Sequence, residues 1–96
     1  MKNDIKGKWV KGTIYGTMIN QNIKDITTSN FKATTDIIIG DETAYIPIQL
    51  PSGDIRNDIN LKDHPYLKGK ELLIKGNLEE YCTVQGVKEP TQYKIT

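Results

Sequence analysis

The stretch KWVKGTIYGTMI, from Lys8 to Ile19, alternates along its length between two sets of positions. Val10, Ile14 and Met18 fall on one side together with two glycines, and polar or aromatic residues fall on the other. A period of two is typical of a β-strand with one buried face. Glycine inside a strand often marks a bulge or a close approach of two backbones. The pattern therefore predicts a long, bent strand that serves both halves of a small barrel.

Four further segments continue this pattern. FKATTDIIIGD at Phe31–Asp41 and TAYIPIQL at Thr43–Leu50 are separated by a tight turn, which predicts an antiparallel hairpin. KELLIKGNLEEY at Lys70–Tyr81 and VQGVKEPTQYKI at Val84–Ile95 predict the fourth and fifth strands, the last one interrupted at Glu-Pro. The stretch Asn20–Asn30 is polar and rich in Asn, Ser and Thr, so it predicts a long loop.

Pro47 distinguishes the third strand. Alternation places the aliphatic residues of TAYIPIQL inside, and the set Tyr45, Pro47 and Gln49 outside. Proline cannot donate a hydrogen bond to a ladder, so Pro47 predicts a free edge or a bulge. Together with the weak last strand, this leaves edges that can pair between chains, and we expect a monomer or a weak dimer.

The connection between the third and fourth strands is much longer than the ~2–5 residues of a hairpin loop. Its first part, PSGDIRNDINL, places Ile55 and Ile59 at helical spacing, and the following Asp-His-Pro ends the helix. We predict a helix of one to two turns, with Asp54 in its first turn, where a carboxylate is favourable. The side chains expected to close the end of the barrel are Ile55, Ile59 and Leu61, and those expected in water are Arg56, Asn57 and Lys62.

Three strands, a helix and two strands is the order of elements in an OB-fold. We therefore predict an all-β fold, a five-stranded Greek-key OB-fold barrel with a short helix between strands 3 and 4. A Greek-key sandwich usually has about seven strands. An SH3-like barrel would not place its longest connection and only helix at this point. Both alternatives are disfavoured.

Composition restricts the class of protein. The 96 residues predict a single domain, 1–96, with residues 1–6 flexible. Thirteen Lys and Arg against 12 Asp and Glu give no overall basic footprint of the kind that duplex-DNA binders show. The single cysteine and single histidine cannot form an intramolecular disulfide or the common Cys- and His-based zinc sites. No run of the sequence approaches the length of a membrane span, and we expect no signal sequence in MKNDIKGKWV. These residues alone do not predict a localisation.

Several segments are similar to a known family. Trp9-Val10-Lys11-Gly12, the segment QLPSGDIRNDINLKDHP and the Gly-Lys of LKGK resemble a family of bacterial OB-fold domains of unknown function. The resemblance extends from about Gly7 to Ile95, and it departs at Cys82 and Gln85, where the family usually has an aromatic residue and a Pro-Gly. It implies an OB-fold and an extracytoplasmic setting in gut bacteria, within longer secreted or lipid-anchored chains. It supplies no activity, since nucleic-acid binding is attached to such domains mainly through their fold.

Lysines interleaved with aromatic residues favour a ligand-binding face. In an OB-fold, oligonucleotides and oligosaccharides bind over strands 2 and 3, between the loops that join strands 1–2 and 4–5. Bases stack on rings, and cations follow the backbone. Structural roles compete with this interpretation, because Trp9 and Tyr15 can cap the barrel and Tyr45 can pair across strands. The candidate ligand-binding residues are Lys11, Thr13, Tyr15, Lys32, Thr34, Tyr45, Gln49, Tyr81 and Lys88.

Other reactive residues favour structural roles. His64 beside Asp63 is expected to be a surface turn histidine. Cys82 follows Glu79-Glu80, and an acidic setting raises a thiol pKa. The carboxylates Asp41-Glu42 are too few for a Ca²⁺ loop, and Ser52-Gly53-Asp54 is expected to cap a helix rather than bind an anion. We expect no enzyme, no metal and no cofactor.

Two classes of function remain open from the sequence. One is a non-catalytic OB-fold binding module whose ligand is single-stranded nucleic acid or an oligosaccharide. The other is a structural or protein-interaction domain of a larger secreted or lipid-anchored protein, which the near-neutral charge favours.

Overall fold

The computed structural model describes residues 5–20, 22–40 and 44–96. The carboxylate pair Asp41-Glu42 and residues 1–4 lie outside these ranges, whereas Ile5 and Lys6 already belong to the first strand. Within the described part of the chain, the strands are β1 (Ile5–Ile19), β2 (Asn22–Thr27), β3 (Asp36–Gly40), β4 (Tyr45–Gln49), β5 (Glu71–Tyr81) and β6 (Val84–Ile95). The helices are α1 (Asp54–Ile59) and a 3-10 turn at Pro65–Leu67.

Five of the strands close a barrel in the order β1-β3-β4-β6-β5 and back to β1. The pairing of β4 with β6 is parallel, and the other barrel pairings are antiparallel. The long strand β1 closes the barrel because its first part pairs with β5 and its second part with β3. The helix lies between the third and fourth barrel strands in chain order. The predicted fold class is confirmed: the protein is an all-β, OB-like barrel with one short helix.

The helix closes one end of the barrel as predicted. Ile59 and Leu61 are fully buried in the barrel core, and Ile55 packs half-buried against the same core. Asn57 and Lys62 are exposed, but Arg56 is not free in water, because its Nε donates to the carbonyl oxygen of Leu50 at 2.7 Å. The remaining members of the barrel core are Ile14, Ile37, Ile39, Ile48, Leu50, Leu67, Leu72, Ile74 and Val87.

The cap expected at Ser52-Gly53-Asp54 is made differently. Gly53 is the N-cap residue with φ of 144°, and no side chain caps the helix. Asp54 does lie in the first turn, where a carboxylate is favourable. A side chain does cap the other end of the helix: the buried Asn60 is the C-cap residue, and its side-chain amide donates to the carbonyl oxygen of Arg56 at 2.8 Å.

The predicted loop Asn20–Asn30 contains a strand, which corrects the sequence prediction. β2 pairs antiparallel with the end of β1, so that Thr17 lies opposite Thr27 and Met18 opposite Ile26. The segment looked like a loop because its apolar residues Ile23 and Ile26 are three apart and do not alternate. Both pack against a cluster outside the barrel rather than against the barrel core.

This outer cluster contains Met18, Ile38 and Tyr81, with Tyr15, Ile23, Ile26 and Cys82 packed against it. Ile38 lies on the outer side of β3, because its neighbours Ile37 and Ile39 face the barrel core. Met18 joins Ile38 because the register between β1 and β3 shifts between Ile14 and Gly16. The irregularity predicted from the two glycines is therefore present. It also corrects the expectation that Met18 shares the inner side with Ile14.

The hairpin and the last strand differ from their predicted limits. The hairpin strands begin later than expected, since Phe31–Thr35 is not strand. Pro47 is buried rather than on an open edge, because β4 pairs with β3 on one side and with β6 on the other. β6 runs unbroken to Ile95, but its register with β5 slips between Lys88 and Gln92, around the Glu-Pro that predicted the interruption. Among the described residues, no helix is long and apolar enough to cross a membrane.

Candidate binding face

Tyr15 and Tyr45 form a stacked pair on the outer face of β1, β3 and β4. Their ring centroids are 4.5 Å apart, with 26° between the ring planes. The two residues belong to β1 and β4, which are separated by β3. They meet because the β3 residue opposite Tyr45 is Gly40, which has no side chain. A Cβ on Gly40 would lie 2.5 Å from Cδ1 of Tyr45, so the ring rests directly on the glycine backbone.

The tyrosine pair combines an accessible ring with a polar edge. Tyr45 is 46% exposed, and Tyr15 is partly buried. A hydrogen bond with the Tyr15 side chain raises the pKa of Tyr45 above its usual value, and desolvation adds to the shift. A raised phenol pKa means that the surroundings favour the protonated Tyr45 hydroxyl. The pair therefore presents an apolar surface with hydroxyl groups at its rim.

The outer cluster holds the tyrosine pair from below. Tyr15 packs against the cluster that is centred on Met18, Ile38 and Tyr81. The register shift between Ile14 and Gly16 leaves Tyr15 without a partner on β3, as expected for a residue in a bulge. A ring fixed in this way loses little rotamer freedom when a ligand binds.

Asp36 connects the outer cluster to the bend in β1. Its side chain is fully buried, and its Oδ1 accepts a hydrogen bond from the backbone N–H of Met18 at 2.7 Å. Burial raises the pKa of the Asp36 carboxyl, while the hydrogen bonds from Met18 and from the Thr35 hydroxyl oppose that shift. No sequence pattern identified Asp36, because a single acidic residue at the start of a strand is ordinarily a solvated turn residue.

Tyr81 and Lys88 lie together, as the sequence suggested, but Tyr81 is not a surface platform. Tyr81 is only 7% exposed, and the ammonium of Lys88 lies 5.9 Å from its ring centroid. Desolvation, and then the charge of Asp36, raise the pKa of the Tyr81 hydroxyl far above its usual range. Tyr81 therefore packs within the outer cluster, and its place in the ligand-binding set stays a prediction. Gly86 lets the Tyr81 Cβ pack close to the sheet.

The predicted cations lie apart from the tyrosine pair. Lys11 pairs with β5 rather than β3, and its Nζ is 3.9 Å from a carboxylate oxygen of Glu71. Thr13, exposed on β1, lies opposite both Gly40 and Glu71. Lys32 and Thr34 precede β3 instead of lying on it. Gln49 is half-buried, and its Oε1 accepts from the backbone N–H of Glu89 at 3.3 Å.

Lys32 lines a cleft of about 550 Å³ that sequence reasoning missed. Its walls come from the end of β1, from Thr27 and from the segment 29–33. Thr17 lies at this cleft, and its hydroxyl is buried without a hydrogen-bond partner among the described residues. The cleft exists only because β2 folds back along β1, so a prediction of loop for this segment could not reveal it.

His64 and Cys82 occupy structural settings. His64 Nε2 lies 2.8 Å from the Asn57 carbonyl oxygen, which can only accept, so Nδ1 is the acceptor for the Tyr66 hydroxyl at 3.2 Å. Burial, and then the charge of Asp36, raise the pKa of the Cys82 thiol. The direction is the expected one, although the charge that contributes is Asp36 rather than the neighbouring glutamates. The described residues contain no group of three or more His, Cys, Asp or Glu side chains arranged to hold a metal.

Comparison with known families gives an assignment that covers the whole chain. A model of the family described as a domain of unknown function, DUF6359, matches residues 1–96. The chain belongs to the DUF6359 family. A search of curated proteins and of solved structures found no significant match. The description of the family names no ligand and no activity.

Proposed function

We propose that the protein is a non-catalytic binding module that holds an extended, neutral oligosaccharide on the outer face of β3 and β4. The stacked Tyr15–Tyr45 pair, in which the Tyr45 ring is exposed, is the observation that supports this proposal. A sugar ring presents C–H groups on one face and hydroxyl groups around its edge. The C–H face fits an exposed aromatic ring, and the hydroxyl edge fits the phenol groups at the rim of the pair.

The separation of rings and cations favours a neutral ligand on this face. Phosphate contacts supply most of the affinity for nucleic acid. The lysines of the predicted set lie elsewhere on the surface: beside Glu71, over the Tyr81 ring and in the cleft at the end of β1. A single strand that stacked on Tyr45 would have to reach these separate places for its phosphate contacts, whereas a neutral sugar needs no cation.

Isothermal titration calorimetry with a panel of neutral hexasaccharides tests the proposal. The panel holds α-1,4- and β-1,4-linked glucose, β-1,4-linked N-acetylglucosamine and β-1,4-linked xylose oligomers. We expect at least one of them to bind with an affinity that is unchanged between 20 and 300 mM NaCl, because no ion pair forms. Tyr45→Ala should remove binding. Tyr45→Phe should weaken it less, because the ring stays and only its hydroxyl is lost.

Gly40→Ala is the sharper variant, because it leaves both tyrosines in place. Its methyl group would meet the Tyr45 ring at 2.5 Å and would displace it from Tyr15. Weaker binding in a protein that is still folded would show that the arrangement of the pair, and not only its composition, holds the ligand. Binding that survives both Gly40→Ala and Tyr45→Ala, or no binding by any oligosaccharide of the panel, would refute the proposal.

The edge of β1 favours protein interaction as a second candidate. Among the described residues, Ile5–Lys11 pairs with β5 alone, and Ile5 is exposed. A free strand edge is a template for an added strand from another chain or domain. This is the role expected of a domain in a longer secreted or lipid-anchored chain. Hydrogen exchange of the Ile5–Lys11 amides in the full-length product of the gene tests this candidate, because an edge covered by a partner should be protected.

A further inference from the structure

The outer face of β1, β5 and β6 carries a tryptophan among lysines, and it is separate from the tyrosine pair. Two cross-strand rows define it. Trp9 lies opposite Lys75, which lies opposite Gln92, and Lys11 lies opposite Leu73, which lies opposite Lys94. We call these six residues the basic face. Directly paired side chains on neighbouring strands stand about 5 Å apart, so the registers bring the six together.

The residues of the basic face are far apart in sequence but close together in space. Trp9 and Lys11 are two residues apart on one strand, which is roughly 7 Å, and Lys11 and Lys94 are two strands apart, which is roughly 10 Å. These side chains share the side of the sheet opposite to the barrel core, because Val10, Leu72 and Ile74 alternate with them and pack inward. Lys75 and Lys94 are not recognisable as partners of Trp9 from the sequence alone, because the pairing register of β5 and β6 decides it.

The face is positively charged and has an exposed ring. Its two rows contain three lysines and no carboxylate, and the nearest acidic side chain in register is Glu71 in the next row. Lys11 approaches Glu71 at 3.9 Å, a distance at which an exposed pair contributes little. Trp9, which the sequence suggested as a barrel cap, is 44% exposed. An exposed tryptophan beside several lysines is the combination that single-strand binders use, in which rings stack on bases and cations follow the phosphates.

We infer that the basic face binds single-stranded nucleic acid, with a base stacked on Trp9 and phosphates held by Lys11, Lys75 and Lys94. The inference does not rest on the oligosaccharide proposal, because the two faces use different residues. A duplex is a poorer ligand, because its bases are already stacked on each other and a flat sheet face presents nothing that enters a groove. A neutral sugar would form no ion pair with the three lysines.

The single tryptophan of the chain makes the test direct. Unlabelled protein is titrated with a dT12 oligonucleotide at 20 mM NaCl while tryptophan fluorescence is followed, and a fluorescein-labelled dT12 gives the affinity by anisotropy. Stacking should quench Trp9. Three phosphate contacts predict a slope of about −2 for log K against log salt concentration, from roughly 0.7 per phosphate on a single strand.

Substitutions separate the stacking from the charge. Trp9→Ala should weaken binding roughly 5- to 150-fold, the range found for one stacked base, and Trp9→Phe should restore part of it. Lys75→Gln should make the salt slope less negative by about 0.7. Lys62→Gln is the matched control, because Lys62 is an exposed lysine after α1 and outside the face, and it should leave affinity and slope unchanged. Tyr45→Ala should bind dT12 as the unmodified protein does.

The competing ligands give results that overturn the inference. An abasic oligomer of the same length that binds as tightly as dT12 would show a general polyanion surface. Tighter association with vesicles of phosphatidylglycerol than with dT12 would indicate a membrane surface. The inference would also be refuted if dT12 caused neither quenching nor an anisotropy change at 20 mM NaCl. An equal loss of affinity for dT12 in Lys62→Gln and Lys75→Gln would refute it as well. Failure of oligosaccharide binding in the same preparation would leave this result untouched.

Discussion

Replacing Ile59 with alanine tests whether the helix closes the barrel. Ile59 is fully buried in the barrel core, whereas Ile55, on the same helix, is half-buried against it. Removing a buried isoleucine side chain costs about 2–5 kcal/mol, since the transfer free energy is lost and a cavity remains. Ile55→Ala should cost about half as much, because part of its surface is already in water. Both substitutions replace the same side chain with alanine on one short helix, so their helix-propensity terms nearly cancel.

The expected loss is large enough to measure. A domain of this size has a free energy of unfolding of roughly 5–14 kcal/mol. A loss of about 3 kcal/mol in Ile59→Ala corresponds to a decrease in Tm of roughly 12–24 °C, and it removes a large part of the total. Urea unfolding, followed by far-ultraviolet circular dichroism, should show a lower midpoint for both variants and an unchanged m-value, because the folded state remains compact.

Equal losses in the two variants would refute the reasoning. They would mean that Ile55 and Ile59 contribute alike, and that burial in the barrel core does not distinguish them. A loss below about 1 kcal/mol in Ile59→Ala would also refute the reasoning, because truncating a fully buried isoleucine should cost more free energy than truncating an exposed side chain. A control at Asn57, which is exposed on the same helix, should stay within about 0.5 kcal/mol when it is replaced with alanine.

Three further predictions concern the outer face. Burial raises the folded-state pKa of the Asp36 carboxyl above 3.8, so the ionised carboxylate destabilises the folded state. Urea titrations should therefore show that the free energy of unfolding, compared with that of Asp36→Asn, decreases as the pH rises from 3.5 to 7. Thr17→Val should stabilise the fold by about 1 kcal/mol, because it removes a buried hydroxyl that has no hydrogen-bond partner among the described residues. Thr13→Val, at an exposed position on the same strand, should change the stability little. Destabilisation by Thr17→Val would indicate that the hydroxyl does have a hydrogen-bond partner. In Gly16→Ala the added Cβ would collide with the carbonyl oxygen of Thr27, so amide exchange should become faster in β2 while the barrel strands stay protected. Equal changes of exchange in β2 and in the barrel strands would contradict this.

The barrel could be predicted because β1, β4 and β5 alternate visibly in sequence and turn residues separate the β3–β4 pair. The inward positions Leu72 and Ile74 on β5 follow from the period of a strand, and the Ile55/Ile59 side of α1 follows from the period of a helix. Neither requires knowledge of which strand pairs with which. The order of the elements then leaves few topologies, and the observed closure of β1 onto both β3 and β5 is one of them.

The surface could not be predicted to the same extent, because it depends on register. A shift of one residue turns every later side chain of a strand to the opposite face. The shift between Ile14 and Gly16 moved Met18 out of the barrel core, which no alternation count can show. Lys11 was placed with Tyr15 because they share a side of β1 in sequence. The structure separates them, since the first half of β1 pairs with β5 and the second half with β3.

The bulge in β1 makes the outer face depend on the β1–β2 hairpin rather than on the barrel. It turns Met18 onto Ile38, brings the Met18 N–H to Asp36, and leaves Tyr15 free to stack on Tyr45. β2 covers the outer cluster, and the missing side chain of Gly16 lets the backbone of Thr27 approach β1. None of these contacts belongs to the barrel core, so the hairpin can open locally at a lower free energy than global unfolding. The tyrosine pair would then lose its support while the barrel stays folded, whereas the basic face, which stands on β1, β5 and β6 alone, would be unaffected.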